Sequence, residues 1–377
     1  MKKITIFLSF FLFAIAANAQ QYTIKAELTG FEEHTKFYLK DNTTDQNVDS
    51  AILVNGKFTL KGKISSVKAF WLYTSTKEAL YFTNLLMGAD EVSIKADAKD
   101  FPWYVKIKGS PSQDVANILI QDTKAMWKAR DSITKILMPL VFGKQSDSIR
   151  LITAPMSKQV AKLDSTREAI TDQFIAKYYN SHAGLQQLYY KRAQYKKEQL
   201  EKMLQAVDPK FKNGLFGTRL TNYIKVGNTL KKGDEYHDFE AKDLSGKKYT
   251  LSSFKGKYIL LDFTETYCGP CILATEDLKK LNNKYIDRLQ IVTFYVESNQ
   301  KIVQQGLDRD QPKWPSIWDG KGSDSEIAMK YGINSYPTFV LIDPNGKIVS
   351  RFSGFGKDDD GKGSLEKEIE RVLEKTK

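Results

Sequence analysis

Residues 258–271 read YILLDFTETYCGPC and contain both cysteines of the 377-residue chain. The first six residues are apolar and rich in β-forming side chains, which predicts a buried strand. Residues 272–281 then follow a helical pattern. A Cys-x-x-Cys motif between a strand and a helix is typical of a thiol–disulfide redox site, because unpaired N–H groups at the helix start stabilise a thiolate.

Two other interpretations of the pair Cys268 and Cys271 are a structural clip and half of a zinc site. A zinc site needs four ligands, and the three histidines, His34, His182 and His237, are scattered along the chain. A disulfide that closes so short a loop would constrain the unfolded chain little. The sequence therefore predicts redox chemistry, with no metal and no cofactor.

The N-terminus predicts an exported protein. Lys2 and Lys3 precede an apolar stretch, residues 4–16, and a small-x-small site ends at Ala19. This pattern is typical of a secretory signal peptide cleaved after Ala19, and the apolar stretch is short for a membrane anchor. We expect a soluble periplasmic protein whose core depends on packing, since no cysteines remain for structural disulfides.

The composition fits a globular chain with a basic surface. Hydrophobic residues make up 41% of the chain, and the formal net charge is +12. Lys and Arg are spread along the sequence rather than clustered, which favours an ordinary solvated surface over a dedicated acidic partner site. No segment is typical of a nucleic-acid-binding module, and the sequence does not indicate an oligomeric state.

Residues 20–109 predict an all-β module, a small sandwich or barrel. Alternation at 22–28 predicts a half-buried strand, and Asn55-Gly56 between two apolar runs predicts a hairpin. Further strands are expected at 70–73, 92–96 and 103–107. Residues 110–227 predict a mainly helical region, with Ser112 as a helix cap and interruptions at Pro139 and Pro155. Its later helices are expected at about 163–179 and 183–207, with a short one to about Val226.

Residues 228–377 predict an α/β domain. A polar linker, 227–235, precedes it, and the strand at 258–263 is followed by a helix and a second core strand at 289–296. Such alternation predicts a βαβ unit with parallel strands. The polar run 357–362 is expected to be a solvated loop. The whole chain is thus expected to be multidomain, with an all-β module, a helical middle and a C-terminal α/β domain.

Residues from about 233 onward resemble exported thioredoxin-fold proteins of the AhpC/TSA and TlpA/ResA type. The layout of the whole chain also resembles thioredoxin-like proteins of Bacteroidetes that have an N-terminal DUF4369-type β-domain. Four stretches carry the first likeness: residues 239–257, the strand and motif 260–271, the run YGINSYPT at 331–338, and FVLIDPNGKI at 339–348.

The resemblance implies a catalytic role for four residues. Cys268 matches the exposed nucleophile, Cys271 the buried resolving thiol, Asp262 the buried acid that helps move a proton, and Pro337 the cis-proline beside the disulfide. Burial among apolar neighbours should raise the pKa of Asp262. Substrate contacts are implied at Tyr267, Gly269, Pro270 and Tyr336. The expected substrates are protein or small-molecule disulfides, and the expected partner is a membrane electron donor.

The chain departs from its relatives just before the motif. Relatives usually carry Trp-Ala-x-Trp where this chain has Thr264-Glu265-Thr266-Tyr267. Glu265 is expected to be exposed, and its charge would oppose thiolate formation if it lay close to the thiols. A thiol-dependent peroxidase is one alternative, although Glu265 stands where peroxiredoxins have Thr. A non-catalytic envelope protein that binds a ligand or senses redox state is another.

Overall fold

The computed structural model describes residues 20–77, 79–142, 146–356 and 363–374. The expected signal peptide, 1–19, and the polar run 357–362 lie outside the described residues. Among the helices in the described ranges, none is both long and apolar enough to cross a bilayer.

The N-terminal region is a β-sandwich, as predicted. One sheet has the order β4-β1-β7-β8 and the other β3-β2-β5-β6, and both contribute to a single apolar core. The strands are β1 (Gln20–Thr29), β2 (Lys36–Asp41), β3 (Gln46–Ile52), β4 (Lys57–Ile64), β5 (Lys68–Ser75), β6 (Leu80–Met87), β7 (Glu91–Asp97) and β8 (Lys106–Lys108).

The turn at Asn55-Gly56 is where the chain passes from one sheet to the other. Both residues have positive φ, 49° and 69°, as a two-residue hairpin turn requires. However, β3 and β4 lie in different sheets, and only Val54 and Lys57 pair across the turn. The predicted turn is therefore confirmed, whereas the predicted hairpin ladder is wrong. Leu53, Phe58 and Leu60, which flank the turn, are buried in the core that both sheets share.

The middle region is helical, as predicted, but its first two helices are longer than expected. Pro139 lies inside α1 (Pro111–Phe142) and Pro155 lies inside α2 (Asp147–Tyr178), so the predicted interruptions are wrong. Each proline removes one backbone hydrogen bond, and packing of the two helices against each other offsets this loss. The predicted cap Ser112 is also wrong, because the Ser110 hydroxyl accepts the N–H of Gln113 at 3.5 Å.

Two further predictions in these regions need correction. The predicted strand 103–107 is confirmed only in its second half, as β8, whereas residues 103 and 104 form a turn in which the ring of Trp103 stacks on Trp127 of α1 at 5.0 Å. The predicted helix 183–207 divides into two at Lys191–Lys196. The remaining helices are α3 (His182–Tyr190), α4 (Lys197–Gln205), α5 (Pro209–Lys212) and α6 (Leu215–Lys225).

The C-terminal domain is built on a seven-stranded sheet with the order β10-β9-β13-β12-β11-β14-β15. The expected βαβ unit is present, since β11 and β12 run parallel and α7 connects them. The elements are β9 (Glu240–Lys242), β10 (Lys248–Thr250), β11 (Tyr258–Thr264), α7 (Gly269–Lys284), β12 (Leu289–Tyr295), α8 (Gln300–Asp310), β13 (Ser316–Trp318), α9 (Glu326–Lys330), β14 (Thr338–Ile342), β15 (Ile348–Ser353) and α10 (Ser364–Glu374).

One apolar cluster joins the three regions. Ala69 and Leu86 come from the β-sandwich and Met329 from α9 of the C-terminal domain. Between them lie buried side chains of α2, α3, α4 and α6. The helical region is therefore packed on both neighbours, and it brings the sandwich close to the carboxyl end of β11.

Candidate redox site

The two cysteines form a disulfide at the N-terminus of α7. Cys268 caps the helix, and its Sγ accepts the backbone N–H of Cys271 at 3.3 Å. Cys268 is half-buried, whereas Cys271 is only 4% exposed. The first sulfur thus lies nearer to solvent and is close to the unpaired N–H groups of the first turn, which favour a thiolate.

The residues around the cysteines leave the outer face of the disulfide open. Gly269 begins α7, and a Cβ atom added there would meet nothing within 4 Å. Pro270 occupies the first turn, where its missing N–H costs no helical hydrogen bond. Tyr267 is 69% exposed, and its hydroxyl donates to the side chain of Gln305 on α8. These residues surround the disulfide without covering it.

Asp262 lies on the central strand β11 and is 4% exposed. Its carboxylate accepts a hydrogen bond from the Thr293 hydroxyl at 2.9 Å, and that hydroxyl accepts one from the Trp314 indole at 2.9 Å. Burial raises the pKa of Asp262 to about 7, and the negative charge of Asp310 acts in the same direction. The predicted burial and the predicted direction of the shift both agree with the structure.

The loop before β14 lies at the same end of the sheet. Phe263 pairs with Thr338 across β11 and β14, so Pro337 lies beside the chain segment that leads to the cysteines. The Tyr336–Pro337 peptide bond is cis, and Pro337 is buried. Tyr336 is half-buried, and burial is the main cause that raises the pKa of its hydroxyl.

The prediction that Glu265 is exposed is wrong. The side chain is half-buried, and burial raises its pKa to about 7, with Glu297 and Asp45 adding negative charge and a hydrogen bond from Tyr336 opposing the shift. Asp45 belongs to the turn between β2 and β3. Its backbone oxygen accepts a hydrogen bond from the Asn299 side chain at 3.4 Å. The sandwich therefore covers Glu265, and no local sequence pattern could have indicated a contact over such a separation.

The helical region supplies further residues near this end of the sheet. The Tyr189 hydroxyl donates to the backbone oxygen of Ser323 at 2.9 Å. Arg219 of α6 pairs with Asp324, with its Nε 2.7 Å from Oδ1. Arg192 is 8% exposed and lies over the rings of Tyr189 and Tyr223. Among the described residues, no group of three or more His, Cys, Asp or Glu side chains could hold a metal ion.

Two family models match the chain in separate parts. The Redoxin model matches residues 231–372, and a model described as a domain of unknown function, DUF4369, matches residues 22–116. A solved structure of the thioredoxin domain of a thiol-disulfide oxidoreductase from Bacteroides vulgatus is 27% identical in sequence, with a TM-score of 0.34. The match covers 38% of this chain and 99% of the Bacteroides chain. The expected resemblance to both families is confirmed.

Curated relatives match the C-terminal domain. Thioredoxin-like protein YneN of Bacillus subtilis is 33% identical over 129 residues, which are 33% of this chain and 74% of the relative. Thiol-disulfide oxidoreductase ResA of Bacillus cereus is 30% identical over 138 residues, 36% of this chain and 78% of the relative. With identity at this level over most of each relative, and with a disulfide at a helix N-terminus, the chain belongs to the Redoxin family as a thioredoxin-fold thiol–disulfide oxidoreductase.

Proposed function

We propose that the protein is a periplasmic oxidoreductase that reduces disulfides of proteins or small molecules through Cys268 and Cys271. The observation that carries this proposal is the disulfide at the start of α7, with one cysteine half-buried and the other buried. Nucleophilic attack needs an accessible thiolate, and resolution needs a second thiol shielded from competing partners. The two environments fit these two roles.

The reaction begins with the reduced dithiol. The Cys268 thiolate attacks one sulfur of the substrate disulfide, forms a mixed disulfide, and releases the first substrate thiolate, which takes up a proton. Cys271 loses its proton and attacks the Cys268 sulfur. This step releases the second substrate thiolate and leaves Cys268–Cys271 oxidised. In sum, two electrons and two protons pass from the enzyme to the substrate.

Asp262 is the proposed acceptor of the Cys271 proton. A general base works best when its pKa lies near the working pH, and the pKa of Asp262 is raised to about 7. A carboxylate with an unperturbed pKa near 4 would be a much weaker base for a thiol. The buried hydrogen bond from Thr293 fixes the orientation of the carboxylate.

Substrate docking is proposed at the loop that contains Pro337. The backbone of Tyr336 would pair with an extended substrate segment, as an unpaired edge does in β-augmentation. Tyr267, Gly269 and Pro270 would contact the substrate from the other side, and Gly269 leaves space for it. Reduction of the oxidised enzyme then requires two electrons from an external donor, for which we propose a membrane electron carrier. We propose the periplasmic location because residues 1–19 have the pattern of a secretory signal peptide.

Insulin-disulfide reduction by the full chain, with dithiothreitol as electron source, tests the proposal. We expect turnover by the wild type, none by Cys268→Ser, and accumulation of a mixed disulfide by Cys271→Ser. Iodoacetamide should label Cys268 before Cys271 in the reduced chain. Consumption of hydrogen peroxide without insulin reduction would favour a peroxidase, and absence of both reactions would favour a binding or sensing protein.

A further inference from the structure

A cavity of about 400 Å³ lies where the β-sandwich, the helical region and the C-terminal domain meet. Its volume falls within the range of small-molecule sites in proteins. Its walls combine apolar side chains with charged groups of opposite sign. The residues that matter for the argument are Arg192, Phe216, Glu265, Met329, Ile333 and Tyr336.

Arg192 supplies a positive charge to this cavity. Its side chain is 8% exposed, its Nη1 donates to the backbone oxygen of Tyr189 at 2.9 Å, and its Nε is buried without a hydrogen-bond partner. No carboxylate in the described part of the chain forms an ion pair with Arg192, whereas the neighbouring Arg219 is paired with Asp324. A buried guanidinium without a counterion favours an anionic ligand.

The surroundings of Arg192 are themselves positive. The pKa of Lys197 is lowered to about 8, first by burial and then by the charges of Lys330 and Arg192. A carboxylate placed beside Arg192 would reduce this repulsion. Positive potential in a partly dry cavity acts strongly, because the local dielectric screening is weaker than in water.

Glu265 supplies the negative charge. It lines the same cavity, and the hydroxyl of Tyr336 donates a hydrogen bond to it. The charges that act on it, Glu297 and Asp45, are also acidic, and of these two Asp45 is already paired with Lys40. A carboxylate in such surroundings favours a cationic group. Phe216, Met329 and Ile333 line the same cavity and provide apolar surface for the methylene group next to the amino-acid end.

We propose that this cavity binds the amino-acid end of a small zwitterionic disulfide, with its carboxylate at Arg192 and its ammonium group at Glu265. The inference rests on the proposed disulfide reductase function and adds a substrate class to it. The cavity adjoins the redox site, because the Cys268 N–H donates to the Glu265 carbonyl at 3.3 Å and Tyr336, which lines the cavity, directly precedes Pro337.

The corresponding reaction is balanced by the dithiol alone. Cystine, a disulfide with one amino-acid group at each end, accepts two electrons and two protons and becomes two cysteine molecules. Cys268 and Cys271 lose those electrons and protons and form their disulfide. The external donor of the proposed function then restores the dithiol.

Binding is tested first with cystathionine, a zwitterion of nearly the same shape as cystine that has a thioether in place of the disulfide and cannot be reduced. Calorimetry on the wild-type full chain at pH 8 should give saturable 1:1 binding. N-acetylation or methyl esterification of the probe should weaken binding at least tenfold, because each removes one charge-assisted contact. Absence of binding at millimolar probe, or equal affinity for the three compounds, would overturn the proposal.

Three variants locate the site. Arg192→Gln and Glu265→Gln should each weaken cystathionine binding by about ten- to a hundredfold, with Arg192→Lys in between. The matched control is Arg167→Gln, which also removes a buried, unpartnered Nε on an arginine stacked over an aromatic ring, but lies outside the cavity. The control should bind like the wild type. Equal losses in all three positions would contradict the assignment.

The two proposals fail in different assays. Cystathionine binding does not depend on the thiols, so it should persist in the Cys268→Ser/Cys271→Ser chain even if insulin reduction is absent from the wild type. If insulin is reduced and cystathionine does not bind, the reductase function stands and the zwitterion site is wrong. Arg192→Gln should also slow cystine reduction more than insulin reduction.

Discussion

Asp262 is a carboxyl group with almost no access to water, held on the central strand of a sheet that is apolar on both faces. Desolvation disfavours its charged form, and one hydrogen bond from Thr293 does not offset the cost. The sequence indicated this environment because Leu260, Leu261 and Phe263 surround the acid. The same feature that suits Asp262 for proton transfer must therefore destabilise the folded chain.

Asp262→Asn should stabilise the oxidised chain above neutral pH. The folded pKa of about 7 lies above the ordinary value of 3.8, so between these values the native state binds more protons than the unfolded state. Its free energy of unfolding therefore falls as pH rises from about 4 to about 7. At pH 8 the Asn variant should be more stable by about 4 kcal/mol, and at pH 4 by less than about 1 kcal/mol.

Urea unfolding followed by circular dichroism at pH 4 and pH 8 measures this difference. Asp287→Asn is the matched control, since it neutralises an exposed aspartate of the same domain and should shift stability by less than about 0.5 kcal/mol at either pH. An Asn variant that gains no stability between the two pH values would show that Asp262 titrates normally. In that case its role as acceptor of the Cys271 proton would also lose its support.

Glu265 marks the limit of inference from single residues. Its neighbours in sequence, Thr264 and Thr266, are both buried. All three residues are polar, so the local sequence did not indicate that this segment is buried. The residues that act on Glu265 are far from it in sequence: Glu297 and Asp45 by their charges, and Tyr336 by a hydrogen bond. Contacts between residues so far apart in sequence leave no periodic pattern, so the acid could be noticed but its environment could not be predicted.

At the scale of elements, the strands and helices were predictable where the order of apolar and polar residues is typical of one kind of element only. β11, β12 and α7 follow this rule, and their order alone predicted the parallel unit. Pro139 and Pro155 were expected to end their helices and do not, because packing between α1 and α2 outweighs the cost of a proline inside a helix, about 3 kcal/mol. Asn55-Gly56 predicted its turn, but turn chemistry cannot say whether the next strand joins the same sheet.

The start of α1 is attached to the sheet by side-chain hydrogen bonds, and their loss should be measurable. The Gln113 side chain is buried and accepts the backbone N–H of Leu86 on β6 at 2.7 Å, while the Ser110 hydroxyl donates to the Leu86 carbonyl at 3.0 Å. Gln113→Ala would leave a buried N–H without an acceptor. We expect the free energy of unfolding to fall by about 1–3 kcal/mol.

Gln121→Ala on the exposed side of the same helix is the control for this prediction. It changes helix propensity in the same way, and it should change stability by less than about 0.5 kcal/mol. Urea midpoints at constant m-value give the comparison. Equal effects of the two substitutions would mean that the Leu86 N–H finds another acceptor and that the attachment of α1 contributes little.

For the whole molecule, the arrangement of the three regions follows from shared burial and not from any motif. The cluster that includes Ala69, Leu86 and Met329 has members in all three regions, so the helical region buries one face on the sandwich and another on the C-terminal domain. The sequence predicted the three regions separately because the spacing of apolar residues differs from one region to the next. Their contacts, and hence the cavity that contains Arg192 and Glu265, depend on which apolar faces meet.

The pair of Arg219 and Asp324 joins α6 to the C-terminal domain and tests how much this junction contributes to stability. Arg219 is 8% exposed, and its Nη2 donates to Asp324 Oδ2 at 2.8 Å. Asp324→Asn keeps the shape but removes the charge that balances a buried guanidinium, so the free energy of unfolding should fall by about 1.5–3 kcal/mol. Asp131→Asn, which breaks the exposed pair with Lys135, should cost at most about 0.5 kcal/mol.

Combining Arg219→Leu with Asp324→Leu should restore part of the stability lost in Asp324→Asn, because removing both charges leaves no unpaired ion at the junction. Urea unfolding of the single variants, the double variant and the wild type forms the comparison. If Asp324→Asn and Asp131→Asn cost the same, the guanidinium must be solvated, and the contact between α6 and the C-terminal domain would be open in solution. A loss confined to Asp324→Asn would mean that the helical region and the redox domain stabilise each other through this pair.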